Sequence, residues 1–345
     1  DNILESSNNY IVCITGKKNY GLAIADVSTG EFLVTQINDE QILLQELTKF
    51  HPSECVFSDD NVPLYDFLSE QQETLYGMNL SPYNSYLFKE SNAEEKLLSH
   101  FGINDLAVLN FNDPTKDAPA IIAAAVLLGY IQEMLRIQPK HLLWLTRYST
   151  KSVMQLDLFT KKNLELVTTL NNHNGTALFD IVNKTSTSAG ARLLRRWMEE
   201  PLINQKHIQL RLDATDELYK SYALRYTLKD LLSNVQDIER ITSRISCGSA
   251  SPRDLVSLKN SLKTLPEIYK VLQQCQNPLF QEYAHHFDLL EDVVKLIEES
   301  ILDEPSYLVR DGNVIRPEYH PDLAELHELV VNGEGWLKKY LEGEK

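Results

Sequence analysis

The chain has 345 residues, enough for two or three domains, and its composition of 43% hydrophobic and 24% charged residues is that of a folded globular protein. Its formal net charge is −16, and residues 1–115 hold five Lys, no Arg and eighteen acidic residues. Because binding to nucleic-acid phosphates needs clustered Lys and Arg, this acidic part is a poor candidate for a DNA surface. We expect it to face protein or solvent.

No segment of the sequence is predicted to enter a membrane. The longest apolar run, residues 118–130, is too short to span a bilayer, and no basic and apolar leader follows Asp1. We expect the chain to be part of a longer protein. The cysteines have no CxxC spacing, which predicts reduced, buried thiols in a cytoplasmic protein and no zinc site. They are Cys13, Cys55, Cys247 and Cys275.

Strand and helix signals alternate in the first part of the chain. Three β-rich runs separated by turns predict a meander over residues 10–14, 20–27 and 31–37. Helical spacing and one short buried strand follow, with helices at 40–50, 62–68 and 94–101 and the strand at 55–57. The pattern is typical of a mixed sheet covered by helices, of the ribonuclease-H-like or Rossmann-like kind.

A domain boundary is predicted at Asp113-Pro114, because a residue before proline is biased away from the helix. The long apolar helix at 117–135 is expected to leave the first unit. We therefore divide the sequence into an α/β domain at 1–115 and an all-α domain at 116–345 that includes this linking helix.

The stretch 156–218 is the junction at which the predicted architecture changes. Thr187 or Ser188 can cap a helix that Pro201 stops. Its apolar side is predicted to hold Leu193, Leu194, Trp197 and Met198. Upstream, an apolar helical stripe is interrupted by Asn163, which would then be a buried amide, although residues 164–166 could equally be a short strand.

Asn204 can cap the next helix, whose apolar stripe is predicted to face the same core. The stripe comprises Ile208, Leu212, Thr215 and Leu218. The rest of the sequence is predicted to form long helical rods. Ser251, Pro252 and Asp254 start one of them with a capping box, and Gly248 ends the helix before it.

Two further signals concern the last part of the chain. Apolar residues alternate at spacings of three and four over 287–301, which predicts a coiled-coil-like rod. A short hairpin is expected around Asp311-Gly312, followed by a helix at 323–341.

These residues resemble a known family. The runs LDLFTKKNLEL, LFDIVNKTSTSAGARLLRRWMEEPL, RLDATDEL, DIERITSRISCGSASPRDLVSLKNSL and ILDEP resemble the core (lever) domain of MutS mismatch-repair proteins. NYGLAIADVSTGEF and HPSEC resemble the connector domain of the same family. The resemblance implies a ribonuclease-H-like connector followed by an elongated all-α lever.

The resemblance also implies what lies outside these two domains. In the family, a mismatch-reading domain precedes the connector, a clamp is inserted in the lever, and an ATPase domain follows. It implies ATP and Mg²⁺ as cofactors, mismatched double-stranded DNA as ligand and homodimerisation for the full-length protein. A MutL-like partner would bind the connector. No cofactor, weak or no DNA binding and no membrane contact are expected for this chain alone.

Several motifs of the family are missing or misplaced. No GxxxxGK[ST] motif is present, and residues 15–21, TGKKNYG, lack the glycine spacing and hydroxyl of a phosphate loop. Phe88-Lys89-Glu90 spells the Phe-x-Glu motif with which the family wedges a base stack, but it lies late in the connector. We expect this Phe not to touch a base.

Structural roles are expected for the other groups of charged and metal-binding residue types. Arg192, Arg195 and Arg196 could meet phosphates, although a solvated face or pairing with Glu199 or Glu200 is expected instead. The adjacent His285-His286 make a poor metal pair. A ribonuclease-H-like metal-dependent nuclease would need converging carboxylates. The strand-end candidates are Asp26, Asp59 and Asp60, for which turn or cap roles are expected.

Three hypotheses remain: a connector and lever without chemistry of its own, a metal-dependent nuclease, and a helical protein-binding scaffold. In the first, no residue is catalytic, cofactor-binding or metal-binding. The expected structural residues are Asp157 and Asn163, which would bind backbone groups at the junction. Gly190 would allow close helix approach, and Pro201 would end the first lever helix.

Overall fold

The computed structural model describes residues 8–75, 77–136, 138–150, 153–170, 175–331 and 333. The chain divides into two compact units. The first comprises residues 1–216 with 242–249, and the second comprises 217–241 with 250–345.

A six-stranded mixed sheet forms the core of the first unit. Its strands are β1 (Tyr10–Thr15), β2 (Tyr20–Asp26), β3 (Glu31–Ile37), β4 (Glu54–Ser58), β5 (Asn79–Tyr83) and β6 (Thr146–Arg147). The order is β5-β4-β1-β2-β3-β6, with β1, β2 and β3 antiparallel to one another. Strand β4 is parallel to β1, β5 to β4, and β6 to β3. The predicted meander and the buried strand at 55–57 are confirmed.

Both faces of this sheet are covered, which is why its central strands read as almost continuous apolar runs. Helices α1 (Glu40–Phe50) and α2 (Val62–Glu70) cover one face, where Leu47 packs with Val12 and Ile24. Helices α3 (Glu90–Phe101) and α4 (Pro114–Leu135) cover the other, where Leu97 and Ile121 pack with Ala23. The mixed α/β class expected for the first part is therefore confirmed.

Helix α4 does not leave the first unit, so that expectation is wrong. It lies against β1 and β2, and Thr15 at the end of β1 donates a hydrogen bond from Oγ1 to the Pro119 carbonyl at 2.6 Å. Asp117 near its start accepts two hydrogen bonds from Arg147 on β6, at 2.7 and 2.9 Å. The Asp113-Pro114 pair begins this helix, with Asp113 as the N-cap, because proline suits the first helical turn.

The apolar run at 118–130, which is too short to span a bilayer, lies within the 22-residue helix α4. Of the helices in the described ranges, it is the one whose length and composition would allow a bilayer crossing, with a mean hydropathy of 1.6. Half of the 18-residue stretch of α4 that has this hydropathy is buried inside the protein. A helix that is apolar on all sides and packed against a sheet is a core helix.

Four helices occur in the described part of the junction segment. They are α5 (Leu158–Asn163), α6 (Leu178–Val182), α7 (Ser188–Glu199) and α8 (Gln205–Lys220). Thr187 caps α7 by accepting a hydrogen bond from the Gly190 N–H, and Asn204 accepts one from the Lys206 N–H at the start of α8. Both predicted caps are confirmed.

The apolar sides predicted for α7 and α8 are largely wrong. Leu193 and Trp197 of α7 are exposed, and the buried residues of that helix are Ala191 and Arg192. Leu212 of α8 is 56% exposed. Helical spacing indicated which residues share a face, but it did not show which face would be buried.

The second unit is helical. Its helices after α8 are α9 (Tyr222–Ser233), α10 (Ile238–Ser246), α11 (Pro252–Leu262), α12 (Leu265–Gln274), α13 (Pro278–His285), α14 (Glu291–Ser300) and α15 (Pro321–Val331), with the end of α10 assigned to the first unit. An apolar cluster of this unit contains Ile241, Leu258, Leu262, Ile297 and Ile301. The capping box of Ser251 and Asp254 is confirmed, as is the end of α10 near Gly248, whose φ is +67°.

The long rods expected in this unit are absent from its described residues. The predicted rod over 287–301 is interrupted, because Leu290 has a φ of +52° and α14 starts only at Glu291. Around the expected hairpin, the structure has an isolated antiparallel bridge between Ile301 and Ile315 instead of paired strands. The last predicted helix starts at Pro321, and its part beyond 333 lies outside the described residues.

Candidate functional site

The carboxylates considered for a nuclease do not meet. Asp26 ends β2 and is opposite Tyr10 at the start of β1. Asp59 and Asp60 follow β4, which is parallel to β1, so they lie at the other end of the sheet. No group of three or more His, Cys, Asp or Glu suited to a metal ion occurs within the described ranges.

Each of these carboxylates has a local structural role. Asp26 is fully buried and accepts hydrogen bonds from the Ser28 N–H at 2.8 Å and from Asn8 Nδ2 at 2.8 Å. Asp59 accepts a hydrogen bond from the Ser85 N–H at 3.0 Å, and Asp60 accepts one from a nearby serine hydroxyl at 2.6 Å. The turn roles expected from the sequence are confirmed for Asp26 and Asp60, whose partners Ser28 and Ser58 lie two residues away, whereas Asp59 binds the backbone of a more distant residue.

The two motifs that spell family signatures are structural elements here. Residues 16–19 form the tight turn between β1 and β2, where Gly16 has a φ of +86° and its carbonyl accepts a hydrogen bond from Asn61. Phe88 packs against the apolar core of the first unit. A Phe that is partly buried against this core is not free to wedge between bases.

Asp157 and Asn163 lie at opposite ends of helix α5. Asp157 is its N-cap and accepts hydrogen bonds from Thr160 N–H at 2.8 Å and Thr160 Oγ1 at 3.0 Å, which lowers the pKa of this carboxyl. Asn163 is the last residue of the helix and its side chain is exposed. The expectation of a buried amide is therefore wrong, because the apolar residues around it do not form a buried stripe.

Gly190 and Pro201 flank helix α7. A Cβ on Gly190 would lie 2.9 Å from the Thr187 hydroxyl and 3.5 Å from Thr185, so its closest neighbours belong to its own segment and not to another helix. The expected close helix approach at Gly190 is wrong. Pro201 follows the end of α7, and its carbonyl accepts a hydrogen bond from the Met154 N–H at 2.8 Å.

The charged contact between the sheet and helix α7 is the feature of the first unit that best qualifies as a functional site. Arg196 donates from Nη1 to Glu31 at the start of β3 over 2.6 Å. It also contacts Glu200 at 3.4 Å. The other oxygen of Glu31 accepts a hydrogen bond from the Tyr10 hydroxyl at 2.6 Å, which extends the contact to β1.

A second ion pair joins helix α1 to Glu200, the residue after α7. Lys49 near the end of α1 contacts Glu200 at 3.1 Å and Glu46 at 3.0 Å, and its own side chain is only 9% exposed. Glu46 in turn accepts a hydrogen bond from the Tyr148 hydroxyl at 2.8 Å. We call the contact formed by Glu31, Lys49, Arg196 and Glu200 the charged junction.

The electrostatics of the charged junction favour its ion-paired state. Glu31 and Glu200 raise the pKa of the Arg196 guanidinium despite the opposing effect of burial. Burial, followed by the negative charge of Glu31, raises the pKa of the Tyr10 hydroxyl, so Tyr10 remains a hydrogen-bond donor at neutral pH. Burial and the charge of Glu46 act in the same way on Tyr148.

Sequence reasoning identified half of this site. The predicted pairing of α7 arginines within the helix is confirmed by Arg195 with Glu199 at 3.8 Å and by Arg196 with Glu200. The partner Glu31 lies 165 residues from Arg196 and was missed. The one sequence feature that could have indicated a distant partner is the high density of charged residues on a helix that is also partly buried.

Two family models match separate parts of the chain. The family model for MutS domain II matches residues 9–142, and the model for MutS domain III matches residues 159–338. The first match contains β1 to β5 and α4, and the second contains the charged helix α7.

Curated relatives match the chain over almost its whole length. The DNA mismatch repair protein MutS of Alkaliphilus oremlandii is 35% identical over 354 residues, which cover 100% of this chain and 40% of the relative. The proteins of the same name from Clostridioides difficile and Methanosarcina acetivorans are each 33% identical over 98% and 99% of the chain. The chain spans about 40% of the length of the first of these relatives. It belongs to the MutS family of DNA mismatch repair proteins, of which it contains the connector and core domains.

Proposed function

We propose that this chain couples other parts of a MutS-like mismatch repair protein to one another and performs no chemistry of its own. In this proposal, the connector and lever transmit nucleotide-dependent changes in an ATPase domain to the mismatch-binding and clamp domains. The observation that carries it is the charged junction, which ties β3 and α1 of the connector to α7 of the core. Coupling needs packed elements that respond together.

We infer that the connector has the ribonuclease-H-like fold. An antiparallel meander of β1, β2 and β3 that continues into parallel β4 and β5 supports this assignment. The family's lever would supply the long-range coupling, although the helices described here are 8 to 16 residues long from α8 to α14. The lever would then act as a packed assembly of short helices and not as single rods.

Other activities would belong to parts of the whole protein outside these two domains. ATP and Mg²⁺ would be held elsewhere, since the sequence contains no GxxxxGK[ST] motif. Mismatched DNA would be bound mainly by other domains, and homodimerisation would likewise depend on them. A MutL-like protein would bind the connector, whose acidic residues 1–115 leave it without the basic surface of a DNA-binding domain. We propose a cytoplasmic location.

The proposal is tested by measuring ATP hydrolysis and DNA binding by the 345-residue chain. Fluorescence anisotropy would compare a perfectly paired duplex with one that carries a single mismatch, each with and without ATP and Mg²⁺. We expect no hydrolysis above background and equal, weak binding to both duplexes. A nucleotide-dependent preference for the mismatched duplex would contradict the proposal. Cleavage of either duplex with Mn²⁺, lost in Asp26→Ala, would support the nuclease alternative.

A further inference from the structure

A row of exposed tyrosines lies in the second unit, on helix α9 and at the end of α8 just before it. Tyr219, Tyr222 and Tyr226 are 77%, 69% and 61% exposed. Arg225 and Lys229 beside them are exposed as well. On α9 these positions are separated by three and four residues, so their side chains share one side of the helix. We call these three tyrosines and two cationic residues the aromatic face.

Contacts within the aromatic face hold its rings in place. The ring centroids of Tyr222 and Tyr226 are 6.0 Å apart and their planes are inclined by 24°, so the two rings stack. The guanidinium carbon of Arg225 lies 5.5 Å from the ring centroid of Tyr222 and 5.9 Å from that of Tyr219. Its Nη1 donates hydrogen bonds to the carbonyls of Leu218 and Tyr219, at 2.9 and 2.8 Å. The face is therefore a preformed surface and not a set of independent side chains.

Arg225 and Lys229 differ from other cationic residues of the second unit, because they have no carboxylate partner. Lys259, Lys270 and Lys295 on neighbouring helices are each paired with an Asp or Glu. In the part of the chain that the structure describes, no acidic side chain lies within ion-pair distance of Arg225 or Lys229. Their charges are thus available to an anionic partner.

Two acidic residues of this unit are close to the aromatic face in sequence. Asp230 follows Lys229 and is exposed, which places it at the edge of the face. Glu217 is occupied elsewhere, since its carboxylate accepts hydrogen bonds from the Gln276 and Asn277 N–H groups at 2.6 and 2.8 Å. With two cationic side chains against Asp230, the face is positive in a chain whose net charge is −16.

The chemistry of the aromatic face fits one class of partner best. Proteins that bind single-stranded nucleic acid without sequence preference stack bases on aromatic rings and place Lys or Arg at the phosphates. A duplex does not offer free base faces, because its bases are stacked on one another. A protein partner is less well matched, since Lys is depleted from protein interfaces and Lys229 has no ion pair here.

We propose that the aromatic face binds single-stranded DNA, the nucleic acid of the repair family to which the chain belongs. Bases stack on the tyrosine rings, and the phosphates contact Arg225 and Lys229. The face runs about 10 Å along α9, so it holds only a few nucleotides. This binding does not depend on the proposed coupling function, and it agrees with weak and equal binding to paired and mismatched duplexes.

The test measures binding of a fluorescent oligothymidylate of about 12 nucleotides to the 345-residue chain by anisotropy at low salt. The same strand annealed to oligoadenylate serves as the duplex probe. We expect saturable binding of the single strand and at least about tenfold weaker binding of the duplex, because the duplex cannot stack its bases on the tyrosines. Binding of the single strand should weaken as salt is added.

Substitutions at the tyrosines separate stacking from general attraction between charges. Tyr222→Ala and Tyr226→Ala should each weaken binding of the single strand about tenfold without lowering the melting temperature, since both side chains are exposed. Tyr222→Phe keeps the ring and should retain the affinity. Tyr65→Ala is the matched control and should leave binding unchanged, because this tyrosine is 48% exposed on α2 of the acidic first part of the chain.

Substitutions of charged residues test the contact with phosphates. Lys229→Gln should weaken binding several-fold and reduce the slope of log affinity against log salt concentration by about 0.7. Asp230→Asn removes the carboxylate at the edge of the face and should tighten binding several-fold. Lys295→Gln, which removes a lysine that is paired with Glu299, is the control and should change neither the affinity nor the slope.

Three results would overturn the proposal. The first is no binding of the oligothymidylate at low salt, which would leave the exposed tyrosines to a protein partner. The second is equal binding of the single strand and the duplex, because stacking on the rings requires free bases. The third is binding that both Tyr222→Ala and Tyr226→Ala leave unchanged.

Discussion

Arg196 is the residue on which the charged junction most directly depends, because its guanidinium contacts carboxylates from two distant parts of the chain. Glu31 starts β3, and Glu200 follows the last turn of α7. The Arg196 side chain is 40% exposed and that of Glu31 is 23% exposed, so solvent screens part of their attraction. We therefore expect a moderate contribution to stability from each contact and a larger role in fixing the position of α7.

A double-mutant cycle measures the contact between Arg196 and Glu31. Arg196→Ala, Glu31→Gln and the double variant would be unfolded with urea, and we expect a coupling energy of about 1 kcal/mol. The exposed pair of Lys295 and Glu299 on α14, at 3.8 Å, is the control and should give less than about 0.5 kcal/mol. Equal coupling energies for the two pairs would show that the junction is an ordinary surface contact.

Asp303 offers a pH-dependent test in the second unit. Hydrogen bonds from Lys259 and Arg316, each 2.7 Å long, lower the pKa of this carboxyl to about 2. Between about pH 2 and pH 4 the unfolded chain thus binds the proton more readily, so the stabilisation from Asp303 is present above that window and lost as the pH falls through it.

The measurement is a carbon-detected NMR titration of the Asp303 carboxyl. We expect a pKa well below the ordinary aspartate value in the unchanged chain and a rise towards that value in Lys259→Met, because Lys259 contributes the largest effect. The same substitution at the exposed Lys270, which pairs with Glu267, should leave the titration of Asp303 unchanged. An ordinary pKa in the unchanged chain would refute the three-residue contact.

At the residue scale, the sequence predicts those features of the structure that depend only on neighbouring residues. The caps at Thr187, Asn204 and Ser251 follow from one hydroxyl or amide placed just before a helix. The contact between Arg196 and Glu31 could not be predicted, since nothing local distinguishes this glutamate.

At the scale of elements, β2 and α4 approach each other closely at Gly21. A Cβ on Gly21 would lie 1.9 Å from the Pro119 carbonyl oxygen and 2.6 Å from the Ala120 nitrogen. Both atoms belong to the helix backbone and cannot move aside without shifting α4 from the sheet. Gly21 thus has the role that the sequence assigned to Gly190.

Alanine substitutions at the two glycines should differ clearly in their effect. We expect Gly21→Ala to lower the free energy of unfolding by about 3 kcal/mol or more, because a methyl group overpacks a rigid backbone contact. Gly190→Ala should change it by less than about 1 kcal/mol, since the Thr187 hydroxyl can shift and alanine favours the helix. Urea unfolding of the two variants measures both values. Similar losses at both sites would contradict the assigned approach of α4 to β2.

Element predictions succeeded where a pattern has one structural solution. The meander was predictable because its apolar runs are separated by turn residues. Strand β5 reads NLSPY and lacks an apolar pattern, so nothing in its sequence indicated a strand. The prediction that α4 leaves the first unit was wrong for a different reason. A helix that is apolar on all sides is expected to be buried, but its sequence does not show which element buries it.

At the scale of the whole molecule, the compact units do not coincide with the two family domains. The match to MutS domain III starts at residue 159, whereas the first compact unit continues to residue 216 and includes 242–249. Helices α5, α6 and α7 of the core therefore belong structurally with the connector sheet. The family and its two domains were predictable from motifs. The shared unit was not, because only long-range contacts such as those of the charged junction reveal it.

Amide hydrogen exchange in Arg196→Ala, compared with the unchanged chain, tests most directly whether the junction couples connector and core. The account predicts faster exchange both in β3 and in α7, with no change in α11 of the second unit, because the lost contact holds one element of each domain against the other. Faster exchange confined to α7, with β3 as well protected as before, would contradict the account.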